Sequence, residues 1–205
     1  MAREPAYTRL QTDERRRQLI DAVSVVFAEH AFEEISMREI AQAAGVSKAL
    51  LYHYFPTKAD LFSAAVEDKT LELQQTLETD EDLPPLEQLT TSIDCYLRWI
   101  ERNRLMWAKL MQSAATLPQA HDAVEQFRAA TRERILSQLI GPSAPPAAVR
   151  NAVAGWLGYV DAAILDWIEH DDISIAQLTE LLAAAFVAAL LAAQQADPHV
   201  ELRIE

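Results

Sequence analysis

Residues 36–62 read Ser36-Met37-Arg38-Glu39-Ile40-Ala41-Gln42-Ala43-Ala44-Gly45-Val46-Ser47-Lys48-Ala49-Leu50-Leu51-Tyr52-His53-Tyr54-Phe55-Pro56-Thr57-Lys58-Ala59-Asp60-Leu61-Phe62. Ser36 and Glu39 stand at the spacing of a capping box and open a short helix over 37–44, with Ile40, Ala41 and Ala44 turned inward. Gly45 stops it, because a glycine past a helix end takes positive φ at little steric cost. Ser47 caps a second short helix over 48–54, and Pro56 blocks its continuation by removing a donor and restricting Phe55. Two short helices joined by a tight glycine-containing turn lay the second helix in a DNA major groove while the first braces it.

Working outward, residues 1 to about 11 lack apolar periodicity and are expected to form a mobile arm carrying Arg3 and Arg9. The first helix begins near Thr12 or Asp13, places Leu19, Val23, Val26 and Phe27 on one face, and ends near His30. Thr57 starts a fourth helix that runs from Lys58 into 71–77. After the acidic stretch 78–82 and Pro84-Pro85, further helices are expected at about 86–102, 104–115, 119–140, 146–170 and 174–195. Pro118, residues 141–146 and Asp171-Asp172 punctuate them. The result is an all-α chain of about nine helices, in keeping with only 4 glycines and an abundance of residues that lose little rotamer freedom in a helix. No internal repeat or low-complexity tract interrupts the pattern.

The net charge of −13 is distributed unevenly. Residues 1–58 carry eight basic and eight acidic side chains, whereas 59–205 carry ten basic and twenty-three acidic ones. An acidic body repels the phosphate backbone and turns the neutral amino-terminal segment toward it. The single cysteine, Cys95, cannot form an internal disulfide, and no charged-then-apolar leader opens the chain, so the cytoplasm is expected. The longest apolar run, 181–193, is shorter than the roughly 20 residues of a membrane span and reads as a buried helix, so no membrane partner is expected.

The words Ile40-Ala41-Gln42-Ala43-Ala44-Gly45-Val46-Ser47, then Leu51-Tyr52-His53-Tyr54-Phe55, then Lys58-Ala59-Asp60-Leu61 closely resemble the signature of the TetR family, which runs IA-x-x-AGVS, LY-x-x-F and K-x-x-L. The resemblance covers roughly 13–73. It implies a DNA-binding domain over 13–73, with its helix-turn-helix at about 36–55, and a ligand-sensing, dimerising domain over 74–205. Val46, Leu51 and Phe55 anchor the recognition helix, leaving Lys48, Ala49, Tyr52 and His53 on the DNA side next to Ser47. The resemblance gives Tyr52 a phosphate to bond and Lys58 a second phosphate to neutralise, contacts that position without reading sequence. Base reading falls to Arg38, with Lys48, Ala49 and His53 beside it. Leu50 departs from the pattern, since many members carry threonine there; it packs on a thymine methyl or joins the core. Arg15, Arg16 and Arg17 form either a phosphate-facing cluster or a solvated face, and Tyr54 packs on the fourth helix or touches DNA.

In the second domain, the helices over 146–170 and 174–195 are apolar beyond one stripe, and alanines at 185, 188, 189, 192 and 193 permit close helix approach. The resemblance implies that two such pairs make a homodimer, which requires a two-fold operator. Tyr96, Trp99, Met106, Trp107, Met111, Phe127 and Trp156 are ordinary core or, as the resemblance implies, line a cavity for an apolar or aromatic small molecule. The expected partners are therefore double-stranded operator DNA, a second copy of the chain and a small effector. Ligand entry is expected to act through the fourth helix.

No nucleophile with a base at recognisable spacing, glycine-rich phosphate loop or metal set is present, so no enzyme, cofactor or metal is expected. His30, His121, His170 and His199 read as surface residues, although His170 with Asp171 and Asp172 has metal-binding atom types. A helical adaptor that binds protein remains the rival reading; a retained Lys48, Tyr52 and Lys58 set speaks against it.

Overall fold

The computed structural model describes residues 6–30, 32, 34–77, 83–141 and 144–199. Among these it contains nine α-helices, α1 (Ala6–Glu29), α2 (Met37–Ala43), α3 (Lys48–Tyr54), α4 (Lys58–Thr76), α5 (Pro85–Arg102), α6 (Arg104–Ser113), α7 (Pro118–Ile140), α8 (Ala147–His170) and α9 (Ile175–Ala196). Arg3 of the expected arm lies outside the described residues. The described part of that arm, residues 6–11 with Arg9, is helical, since α1 begins at Ala6. Nothing in 6–11 breaks a helix, and once a helix is nucleated each added residue gains a hydrogen bond.

The chain forms two packing units, one made of residues up to Glu72 together with Leu105–Val124, the other of Leu73–Arg104 together with residues from Glu125 on. Most of α6 and the start of α7 pack with the amino-terminal unit. Ala120 is buried in its core, and Leu110, Ala114 and Leu117 lie against it.

The core of the first unit gathers Leu19, Ile20, Val23, Val26 and Phe27 of α1, Ile40 and Ala41 of α2, Leu51 and Phe55 from α3 and its end, and Leu61 and Phe62 of α4. The rings of Phe27, Phe32 and Phe62 close on one another, with Phe27–Phe62 and Phe32–Phe62 centroids at 5.3 and 5.2 Å in edge-to-face geometry, an arrangement favoured by the ring quadrupole.

In the second unit, α9 packs against both α8 and α5. Its buried face is Leu178, Leu182, Ala183, Phe186, Leu190 and Ala193. A capping box starts it, Ser174 accepting from Gln177 N while Gln177 Oε1 accepts from Ser174 N. The apolar run 181–193, read as a buried helix, lies within α9. α9 is 22 residues long, and an 18-residue window of it with a mean hydropathy of 2.0 meets the length and composition of a membrane span; a third of that window is buried. Gln177, Thr179 and Glu180 break the uninterrupted run while the helix as a whole continues past them.

At the end of α8, Asp171 adopts a left-handed conformation with φ of 50°. Arg104 donates to its carboxylate at 2.5 Å and sits 4.7 Å from the Trp167 ring centroid. His170 Nδ1 is 3.0 Å from the Asp166 carbonyl. The His170 and Asp171 side chains are thus drawn to different neighbours, and among the described residues no group of three His, Cys, Asp or Glu is placed to hold a metal.

Candidate nucleic-acid interface and second-domain cavity

The local sequence builds the helix-turn-helix through its caps. Glu39 accepts from Ser36 N at 2.8 Å and from the Ser36 hydroxyl at 2.7 Å, while Ser36 Oγ receives Glu39 N at 3.4 Å. Hydrogen bonds from Ser36 hold the Glu39 carboxyl below its ordinary range. Gly45 has φ of +65°, the conformation its place in the turn demands. Ser47 receives Leu50 N at 3.1 Å. Thr57 and Asp60 form the reciprocal pair at the start of α4, Thr57 N to Asp60 Oδ2 at 2.9 Å and Asp60 N to Thr57 Oγ1 at 3.1 Å.

Seven-residue α3 is thereby fixed at both ends and divided by face. Leu51 is fully buried and Phe55 just past the helix is 2% exposed, while Ser47, Lys48, Ala49, Tyr52 and His53 are all exposed, as is Arg38 on α2. Lys48 Nζ lies 5.5 Å from the Tyr52 ring centroid, and His53 meets Tyr54 edge-on at 5.2 Å. Tyr54 and Val46 are partly buried against the core cluster, whereas Leu50 is half-buried and stands outside it. Arg16 covers the Phe55 ring at 5.2 Å, and Arg15 donates to Gln18 at 3.1 Å.

Lys58 is engaged within the protein. Its ammonium donates to the carbonyls of Phe32 and Ile35 at 2.6 and 2.9 Å. These two bonds hold the ammonium at the loop between α1 and α2. Local spacing shows that a lysine opens α4 but says nothing of carbonyls more than twenty residues upstream.

The second unit holds a cavity of about 530 Å³. Of the seven aromatic and methionine residues singled out for a ligand site, Tyr96, Phe127 and Trp156 line it. Trp99 is buried outside the lining, and Met106, Trp107 and Met111 belong to the other packing unit. Cys95 on α5 is half-buried and outside the lining. The Trp156 indole donates to the Leu182 carbonyl at 2.9 Å and packs 4.7 Å from Phe186, so it presents its apolar surface rather than its N–H.

Composition and aromatic content do not reveal the polar part of the lining, which includes Arg128, Thr131, Arg134, Gln138 and Asp161. Arg128 Nη2 pairs with Asp161 at 2.6 Å and Nη1 with Glu125 at 2.6 Å. Burial pushes the Asp161 carboxyl up, with Arg128 opposing it. Burial works against the Arg128 charge, but Glu125 and Asp161 hold its guanidinium above the ordinary arginine value. The available signal was an aspartate inside the apolar sequence of α8, with arginines at helical spacing on α7.

A reading helix exposed on one face, held by a capped partner helix and followed by a helical unit with its own cavity, defines a helix-turn-helix regulator of transcription. The comparisons with known proteins place it. Residues 19–65 match the family of bacterial regulatory proteins of the TetR type, and 85–189 match the tetracycline-repressor-like carboxy-terminal domain; the chain belongs to the TetR family. Over 99 residues it is 35% identical to the HTH-type transcriptional activator FasR of Mycolicibacterium smegmatis, and over 93 residues 27% identical to the transcriptional repressor KstR of Rhodococcus jostii. The alignments span 46% and 45% of this chain and 44% of each relative, so under half the length of either is matched. A TetR-family regulator from Streptomyces coelicolor superposes with a TM-score of 0.81 at 28% identity, covering 91% of this chain and 84% of that one. By its family the chain belongs with bacterial regulatory proteins of the TetR type rather than with enzymes.

Proposed function

We propose that the chain is a cytoplasmic, ligand-responsive homodimeric repressor that reads a two-fold operator. The observation that carries this reading is the division of α3, whose buried Leu51 and adjoining Phe55 lock it while Lys48, Ala49, Tyr52 and His53 stay open to solvent. On a recognition helix those groups contact phosphates and base edges, and Arg38 on α2 reaches guanine through a bidentate fork. Ser47 adds a hydroxyl at the helix start.

The outer face of α9 supports pairing with a second copy. Leu181 is 48% exposed, with exposed Ala184, Ala188 and Ala192 on the same side of the helix. A two-fold pair would place two recognition helices about 34 Å apart, one helical turn of DNA. Effector control rests on the cavity and on α4, whose residues to Glu72 belong to the first unit and whose end belongs to the second, with Leu77 just beyond it in the cavity lining. An effector that binds the DNA-incompetent form better, with a coupling of about 1–3 kcal/mol, relieves repression by roughly 5- to 150-fold. The relatives include both an activator and a repressor; repression is the simpler consequence of occupying a promoter.

Fluorescence anisotropy against the chain's own upstream DNA, at two salt concentrations, with wild type and a Lys48→Ala/Tyr52→Phe variant, tests the reading. Tight, salt-sensitive binding that the variant loses supports it. Failure to bind there and in a selection of bound genomic fragments would overturn it in favour of a protein-binding adaptor.

A further inference from the structure

The cavity of the second unit has a polar side and an apolar one. Its polar side is a stripe of α7, where Arg128, Thr131, Arg134 and Gln138 follow one another at three- and four-residue intervals and so share a helix face. The α8 and α9 side contributes mainly Leu, Val and aromatic surface, with Asp161 as the exception. The two arginines are in different states. Arg128 is neutralised by Asp161 and Glu125, whereas the guanidinium of Arg134 has no carboxylate partner among the described residues. Arg134 is exposed, as are Leu86 and Leu191 of the same lining, which puts all three at the solvent edge of the cavity.

Charge points the same way. With Arg128 paired to Asp161 and Glu125, Arg134 is the charged group of the lining left without a carboxylate partner among the described residues, in a stretch, 59–205, that carries ten basic against twenty-three acidic side chains. A positive cavity edge on an acidic body repels the cations that its surroundings attract and holds an anion that the rest of the surface turns away. A guanidinium fork matches a carboxylate bidentately. The volume has room for on the order of 18 water-sized groups at about 30 Å³ each.

We infer that the effector is an amphipathic carboxylate, its acid group on Arg134 at the cavity edge and its apolar body against Trp156, Phe186 and Leu190 within. This deepens the ligand-responsive reading and rests on it. Binding needs no rearrangement of the Arg128–Asp161 pair, which stays as a fixed part of the wall.

Three probes of equal chain length separate the possibilities: dodecanoate, dodecanol and dodecylammonium, titrated below their aggregation concentrations. Each is followed by tryptophan fluorescence and by thermal shift, on full-length wild type and on Arg134→Gln. The expected result is at least about tenfold tighter binding of dodecanoate than of the other two. In Arg134→Gln that preference disappears, while dodecanol affinity and the unliganded melting temperature stay the same. Equal binding of all three probes, or a preference that survives Arg134→Gln, overturns the carboxylate assignment and leaves the cavity as an effector site. If none binds, while an Ile135→Trp variant that fills the cavity has the same melting temperature and DNA affinity as wild type, the effector-site reading itself falls.

Discussion

The ammonium of Lys58 donates a 2.6 Å hydrogen bond to the carbonyl of Phe32 and lies 4.2 Å from the centroid of the same residue's ring. With the second bond to Ile35, this ties the start of α4 to the loop ahead of the helix-turn-helix. Lys58→Ala removes the donor from two carbonyls at once. Hydrogen bonds from charged donors contribute roughly 1.5–3 kcal/mol each in favourable cases, so a loss of about 2 kcal/mol in urea unfolding is expected. The slope of log affinity against log salt for operator DNA should stay at its wild-type value. A slope reduced by about one would instead show that Lys58 neutralises a phosphate.

Lys48→Ala should behave in the opposite way. Its side chain is exposed on α3 with the ammonium 5.5 Å from the Tyr52 ring centroid, so stability stays within about 0.5 kcal/mol while the salt slope falls by about one. Chemical denaturation and anisotropy on the same preparation read both quantities.

Gly45→Ala isolates backbone strain from packing. A Cβ at this position meets nothing within 4 Å, but φ is +65°, where an L-residue costs about 1–2 kcal/mol. Stability should drop by that amount. A neutral result would mean the turn relaxes to another conformation, which crystallography of the variant would show.

Acid should weaken the protein through two exposed carboxyls. Hydrogen bonds from Ser36 lower Glu39, and the Arg104 hydrogen bond lowers Asp171. Folded values below the ordinary ones mean that each contributes stability that is present at neutral pH and lost as pH falls through the carboxylate range. His170, raised by the Asp166 carbonyl and carboxylate, acts oppositely, its contribution being lost as pH rises through the histidine range. Urea titrations between about pH 7 and pH 3 should show a shallower acid loss for Glu39→Gln than for wild type. Equal slopes would remove Glu39 from that account.

On α9, Leu181→Glu places a charge on an apolar position that is 48% exposed in the protomer. Light scattering after size exclusion should show wild-type dimers and variant monomers at micromolar concentration. Retained α-helical circular dichroism would show that the fold survives. A wild-type monomer under these conditions contradicts the pairing.

The helices and their caps were legible because they depend on neighbours in sequence. Ser36 with Glu39, Ser47 ahead of α3 and Gly45 in the turn act over three or four residues, and the structure forms each of them. The start of α1 was less legible, since the absence of an apolar stripe in 6–11 does not prevent a helix from continuing through it. The cavity was the least legible part. Tyr96 and Trp99 lie three residues apart on α5, yet only Tyr96 reaches the lining.

The sequence by itself determined the all-α class, the helix-turn-helix and the division of α3 between an apolar and a polar face, because helical periodicity and capping are local properties of the chain. Tertiary structure alone decided that Lys58 turns to Phe32, that α6 joins the first unit, and that Arg128 is neutralised by Asp161 while Arg134 is not. Each of these joins residues far apart in the chain or depends on which face of a helix meets a neighbour, and that is set by how the helices pack, not by the spacing along any one of them.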